Sequence, residues 1–206
     1  MIIGITGGIG SGKSYITKLL SDQLGVPKLS VDEIVAYIMG PGGSGIFKIK
    51  ENFGESFVTE DGALNRLKMR ELIFNNKDAK TLLENITNPI ISKEFESSIK
   101  KLKEISSVIV VEVPLLYEAK FFQEKVDFII SVSCERETQV KRVRERNKFE
   151  DELINKIIDS QATNEQRVSI ADFVIFNNDK DDLVGQLNQI QDIVKQNLSA
   201  AKFQSK

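Results

Sequence analysis

The chain is 206 residues long, 41% hydrophobic and 28% charged, with 28 lysine and arginine residues against 30 aspartate and glutamate. Its net charge of −2 supplies no global attraction for nucleic acid or an anionic membrane, so any anion site has to be built locally. Histidine is absent, which excludes imidazole as base or metal ligand and leaves carboxylate, lysine, tyrosine or the single cysteine, Cys134, for proton transfer.

The first predicted element is a strand, "IIGIT" (2–6), followed by "TGGIGSGKS" (6–14) and then a helix whose apolar face carries Ile16, Leu19, Leu20 and Leu24. Gly7, Gly12, Lys13 and Ser14 satisfy Gly-x-x-x-x-Gly-Lys-Ser, and the strand-loop-helix context is the one that pattern requires. Glycines let backbone N–H groups turn inward without Cβ atoms blocking the approach of phosphate oxygens, and the helix N-terminus adds partial positive charge. The stretch Gly8, Ile9, Gly10, Ser11, Gly12, Lys13, Ser14 and Tyr15 is therefore the expected ATP-binding loop. Lys13 is expected to bridge the β- and γ-phosphates, and the Ser14 hydroxyl to ligate Mg²⁺.

"PKLSV" (27–31) is a shorter strand, and Asp32 follows it at the carboxyl edge, where parallel sheets bind ligands. A carboxylate there can accept or orient an acceptor hydroxyl, or it can cap the helix that begins at Glu33. Residues 40–105 open with "GPGGSG" and continue polar and helical, which reads as an insertion between the second and third strands. Within it Arg66 and Arg70 stand one helical turn apart, spaced either to clamp acceptor phosphates or to sit as surface charge, and Asn88-Pro89 reads as a turn or helix break.

"SVIVVEV" (107–113) is the clearest strand, and its Glu112 is costly to bury unless it meets a cation or a donor, either Mg²⁺ or an ion-pair partner. "VDFIISVS" (126–133) and "DFVIFN" (172–177) complete five near-continuous apolar strands separated by helices, the pattern of an α/β protein with a parallel sheet covered on both faces. Between the last two lies "KRVRERNK" (141–148). On a helix Arg142 and Arg146 share a face and Arg144 points elsewhere, so the first two are candidates for neutralising a transferring phosphoryl group, against a solvated, glutamate-paired face. The last helix carries Leu183, Leu187, Ile190, Val194 and Leu198 as a sheet-packing stripe, with Asp181 or Asp182 as N-cap.

No run approaches the ~20 apolar residues of a membrane span, and one cysteine permits no internal disulfide, so a cytoplasmic protein with neither nucleic-acid nor membrane partners is expected. GTP switches select guanine with Asn-Lys-x-Asp, and "NNKD" (75–78) and "NDKD" (178–181) both miss that spacing. Length and two helical insertions suit a small-molecule kinase, one insertion for the acceptor and one closing over ATP.

Assembled, these pieces resemble the dephospho-coenzyme A kinase family over nearly the whole chain. The resemblance is carried by "ITGGIGSGKS" (5–14), Asp32 with "GPGG" (40–43), "GALNRLKMRELIF" (62–74), "NPII" (88–91), "PLLYE" (114–118), "RVRER" (142–146) and "QATNEQR…ADFVIFNN" (161–178). It implies a P-loop kinase fold with a five-stranded parallel sheet, a helical acceptor insertion at 40–105 and a lid at 142–160, on a core of 1–39, 106–141 and 161–206. It also implies ATP- and Mg²⁺-dependent phosphorylation of the ribose 3′-hydroxyl of dephospho-coenzyme A, the last step of coenzyme A synthesis. By the same resemblance Asp32 is the candidate base, Arg66, Leu115 and Glu118 lie along the acceptor, Arg142 and Arg146 lead into the lid, and Asn177 lies near the adenine. The chain departs from the family pattern at Ser30 and Glu112, where aspartate is common, and at Asn88, where His-Pro is usual.

Overall fold

The computed structural model describes the backbone over residues 1–204 and side chains over 1–200. Five strands form one sheet: β1 (Ile2–Gly7), β2 (Lys28–Ser30), β3 (Ile109–Glu112), β4 (Phe128–Ser133) and β5 (Phe173–Phe176), in the order β2-β3-β1-β4-β5. β1 pairs in parallel with β3 and β4, and β4 with β5. All six residues of β1 are buried, which is why it reads as an unbroken apolar run rather than an alternating one. Strand order reverses about β1, so the carboxyl ends of β1 and β3 open onto the crevice where such sheets hold ligands.

The core joins Ile3, Ile5, Val110, Ile130, Val132 and Ile175 of the sheet to Ile16 and Leu20 of α1 (Lys13–Leu24) and to Leu187, Ile190 and Val194 of the C-terminal helix (Leu183–Gln204). Each such fully buried aliphatic side chain contributes about 1.5–3 kcal/mol. Leu183 and Leu198 pack against the same core, as the stripe requires. Asp182, not Asp181, caps that helix: its Oδ1 accepts from the Gly185 N–H at 2.9 Å, whereas Asp181 closes a turn by accepting from the Asn178 N–H at 2.6 Å.

The chain divides into two compact units, Ser30–Lys101 and the remainder. The smaller one is helical: α2 (Val31–Ile38), α3 (Ile46–Phe53), a 3₁₀ turn (Glu55–Phe57), α4 (Arg66–Asn75) and most of α5 (Lys77–Lys103). It begins ten residues earlier than the sequence boundary at 40, because α2 belongs to it: Ile34 and Ile38 are buried, and the Met39 carbonyl accepts from the Leu64 N–H at 2.9 Å. Phe57 gathers the unit's middle, with the Phe53 ring at 5.8 Å and the Lys68 ammonium 4.7 Å from its face. Asn65 caps α4, its Oδ1 accepting from the Lys68 N–H at 3.1 Å.

One expectation fails here for a physical reason. Asn88-Pro89 does not break the chain; Pro89 lies inside the 27-residue α5. Proline removes one backbone donor and costs about 3 kcal/mol in a helix interior, but turns on both sides propagate cooperatively and the second half is anchored by buried Phe95 and Ile99. Residues 142–160 run over the end of one helix and the whole of the next. Arg142 lies inside α7 (Arg136–Asn147), which comes after the short α6 (Lys120–Gln123), holds buried Val143 and ends only where Lys148 turns left-handed at φ 56°. A second helix, α8 (Asp151–Asp159), follows and is clasped back onto it. Arg136 Nη1 donates to Asp159 Oδ1 at 2.8 Å, and Arg144 forks onto both oxygens of Asp151, the Nε arm at 2.7 Å.

Candidate active site

The loop leaves the carboxyl end of β1 and enters α1 at Lys13, with Gly12 at φ 90° as the residue before the helix. A Cβ at Gly12 would be strained by that φ, so the position favours glycine, and it would also stand 2.3 Å from Asn177 Nδ2. Lys13 folds toward the loop, its Nζ donating to the Gly8 carbonyl at 3.2 Å. Ser14 Oγ donates to Glu112 Oε1 at 2.7 Å. Glu112 is 7% exposed at the end of β3, and that hydrogen bond answers how its carboxylate is tolerated in an apolar strand.

A cavity of about 230 Å³ lies over the loop, lined by Gly10, Gly12, Lys13, Ser14, Tyr15, Arg142 and Arg146. The residues meant to grip phosphate thus surround one space, and Arg142 and Arg146 share the α7 face turned toward it while Arg144 faces α8. Arg142 is half spent on structure, with Nη1 donating to the Asn177 carbonyl at 2.8 Å and Nη2 lying 3.5 Å from Asp179 Oδ1. Arg146 is exposed and donates to Asn147 Oδ1 at 2.8 Å. A cavity of about 320 Å³ opens between α7 and α8, but its cations Arg136, Lys141 and Arg144 already face Asp159, Asp179 and Asp151.

Three residues that sequence reasoning did not single out brace the loop. Both polar groups of Ile9 are taken by glutamines: its N–H donates to Gln161 Oε1 at 2.9 Å and its carbonyl accepts from Gln139 Nε2 at 2.8 Å. The Arg167 guanidinium lies against Gly8, where a Cβ would come within 2.9 Å of its Nη2. Arg167 is carried by α9 (Asn164–Val168), whose start is fixed by a reciprocal capping box between Thr163 and Gln166. Gln161 and Arg167 sat inside "QATNEQR" and could have been read from it; Gln139, in the charged stretch 135–146, looks like a solvent-facing helix residue.

Asn177 turns its amide onto the loop, Nδ2 donating to the Ser11 carbonyl at 2.8 Å, so its visible work is bracing. Glu118 accepts from the Ala162 N–H at 2.9 Å, and Leu115 is 48% exposed beside it in sequence. In the smaller unit Asp32 is in the first turn of α2, one residue past Val31, while Ser30 occupies the N-cap; the capping alternative for Asp32 is thereby removed. Asp32, Arg66 and Arg70 are all exposed.

A sequence model described as dephospho-CoA kinase matches residues 1–182. The chain belongs to the dephospho-CoA kinase family. A dephospho-CoA kinase of Hydrogenovibrio crunogenus is 41% identical over 175 residues, covering 84% of this chain and 87% of that protein. Among solved structures, dephospho-CoA kinase from Campylobacter jejuni is 29% identical with a TM-score of 0.69, covering 95% of this chain and 98% of that one. A Thermus thermophilus protein superposes with a TM-score of 0.80 at 26% identity, covering 96% and 97%. As a member of this family of P-loop kinases, the chain has its nucleotide loop and five-stranded parallel sheet accounted for together. Among the described residues no helix is long and apolar enough to cross a membrane.

Proposed function

We propose that the protein transfers the γ-phosphoryl group of ATP to the ribose 3′-hydroxyl of dephospho-coenzyme A. The observation that carries this reading is the convergence of Lys13, Ser14, Arg142 and Arg146 on one cavity over the loop, in a chain of the dephospho-CoA kinase family. Phosphoryl transfer passes through a loose transition state, so positioning and charge neutralisation carry most of the catalysis. Lys13 exchanges the Gly8 carbonyl for β- and γ-phosphate oxygens, the loop amides not taken by the protein hold the polyphosphate, and Arg142 and Arg146 face the transferring group from α7. Asn177 and the two glutamines keep the loop in register and need not touch the nucleotide.

Mg²⁺ fits the residues present. It binds with one or two protein oxygens completed by phosphate and water, and Ser14 Oγ and Glu112 Oε1 already approach to 2.7 Å at the end of the loop. Those two residues would hold it, directly or through water, where it would neutralise charge on the β- and γ-phosphates. On the acceptor side Asp32 orients the hydroxyl and takes its proton, while Arg66, Arg70, Leu115 and Glu118 are the proposed acceptor contacts. The protein acts as a cytoplasmic enzyme on ATP and dephospho-coenzyme A.

The test is a coupled assay with ATP, Mg²⁺ and dephospho-coenzyme A beside a panel of nucleosides and nucleotides. Turnover confined to dephospho-coenzyme A supports the reading. Turnover of another acceptor alone, or nucleotide binding with no turnover of any, rejects it.

A further inference from the structure

Arg167 is 5% exposed, and burial pushes its guanidinium below the ordinary arginine range, an effect that Glu118 only partly offsets. Nη1 donates to the Ala162 carbonyl and Nη2 to Asn164 Oδ1 at 2.8 Å, both neutral acceptors, while Nε has no partner. No ion pair to it forms among the described residues. Glu118 and Glu165 act on it only in part and form no ion pair with it, and a buried charge left without a paired counter-ion is strongly unfavourable unless something compensates it. Ser11 Oγ, in the loop itself, is also buried without a partner, so two of the three such side-chain atoms among the described residues lie in the loop or against it. The third, Thr17 Oγ1, is on the helix the loop feeds.

The missing counter-charge has an obvious source. Arg167 packs on Gly8, the residue whose carbonyl receives Lys13, so closely that a Cβ there would meet Arg167 Nη2 at 2.9 Å and Gln139 Nε2 at 2.6 Å. We propose that Arg167 is a positioning residue for phosphate: a fixed buried cation behind the loop, whose field is compensated when a polyphosphate occupies the other side. It acts across Gly8 and does not touch the ligand. This rests on the reading of the loop as the polyphosphate site, and it adds a cation from outside the Gly-Lys-Ser motif to that site. In a poorly screened interior such a charge still reaches a phosphate roughly 10 Å away, enough for about a tenfold effect on affinity.

The experiment measures binding of inorganic tripolyphosphate and of ATP by calorimetry, with melting temperatures of the ligand-free proteins, for the parent, Lys13→Ala, Arg167→Gln and Arg167→Lys. Arg167→Gln is expected to weaken both ligands about tenfold, raising KM for ATP by the same factor and changing kcat less. Arg167→Lys, which keeps the charge and loses the fork, is expected to restore most of that affinity. A merely structural arginine would instead lower the melting temperature of Arg167→Gln and leave its tripolyphosphate affinity at the parental value, which overturns the inference. If Arg167→Gln and a second neutral variant, Arg167→Met, both fail to fold while Arg167→Lys folds, the charge serves the fold and the inference is again overturned. A parent that does not bind tripolyphosphate, or a Lys13→Ala protein that binds it unimpaired, refutes the reading of the loop itself. Loss in Lys13→Ala with none in Arg167→Gln refutes only the role given to Arg167.

Discussion

In the phosphate loop the protein itself engages the polar groups: Ile9 is held at both its N–H and its carbonyl, the Ser11 carbonyl is held by Asn177, and Ser14 is held by Glu112. In residues 30–101 the corresponding candidates, Asp32, Arg66 and Arg70, stand exposed on the first turns and outer faces of α2 and α4. Preorganised donors cost nothing to align at the moment of reaction, which suits a site for a transition-state charge. Exposed side chains cost little stability when changed, which suits residues that meet a separately diffusing acceptor. One region should therefore fail in structure and chemistry together, the other in chemistry alone.

Substitutions can break that contrast. Lys13→Ala is expected to have the largest effect, a loss of turnover on the order of 10³-fold, because a charge aimed at the transferring group disappears; steady-state kinetics in the coupled assay checks it. Asp32→Asn follows, with kcat down on the order of 10²-fold, KM for ATP within about twofold, and a melting temperature moved by less than about 2 °C because the side chain is exposed. A large rise in KM for ATP would place Asp32 with the nucleotide instead. Arg146→Ala should lower kcat about tenfold with a smaller change in KM, since its bond to Asn147 anchors nothing else.

The smallest effect sharpens the comparison within the larger unit. Arg144 holds the Asp151 carboxyl, and Arg136 the Asp159 carboxyl, below the ordinary aspartate range. A carboxyl depressed on folding adds stability that is present above its unfolded pKa, near 4, and is lost as pH falls through the lower folded value. The α8 clasp should loosen in acid below about pH 4, and salt should weaken it at neutral pH because all four groups are exposed. Hydrogen exchange in Asp151–Asp159 reads this out, and protection unchanged by both acid and salt would show that buried Ile154 alone holds the helix.

Some of this was legible in the residues and some was not, for identifiable reasons. The five strands and the loop were readable because β1, β3 and β4 are continuous apolar runs and the Gly-Lys-Ser spacing sets backbone geometry directly. The face shared by Arg142 and Arg146 was readable because helical periodicity alone fixes it. Pro89 misled because a local rule about one missing N–H was outweighed by the turns around it. The start of the smaller unit is hard to read because α2 looks like the end of a strand-helix pair, whereas the Leu64–Met39 and Gly45–Ile38 bonds and buried Ile34 and Ile38 tie it forward. Gln139, Gln161 and Arg167 act across 130, 152 and about 160 residues of sequence, bracing that leaves no periodic signature, so the motif "QATNEQR" was the one pointer to the last two and Gln139 had none.

Helix α7 carries these jobs on different sides of one cylinder. Gln139 reaches under the loop, Arg142 and Arg146 face the cavity, and Arg136 and Arg144 grip α8. A rigid axle of this kind gears its attachments together: inserting one residue between Val140 and Lys141 would swing everything beyond it by about 100°. The cavity arginines and the Arg144 grip would then both lose their targets while Gln139 kept its hold on Ile9.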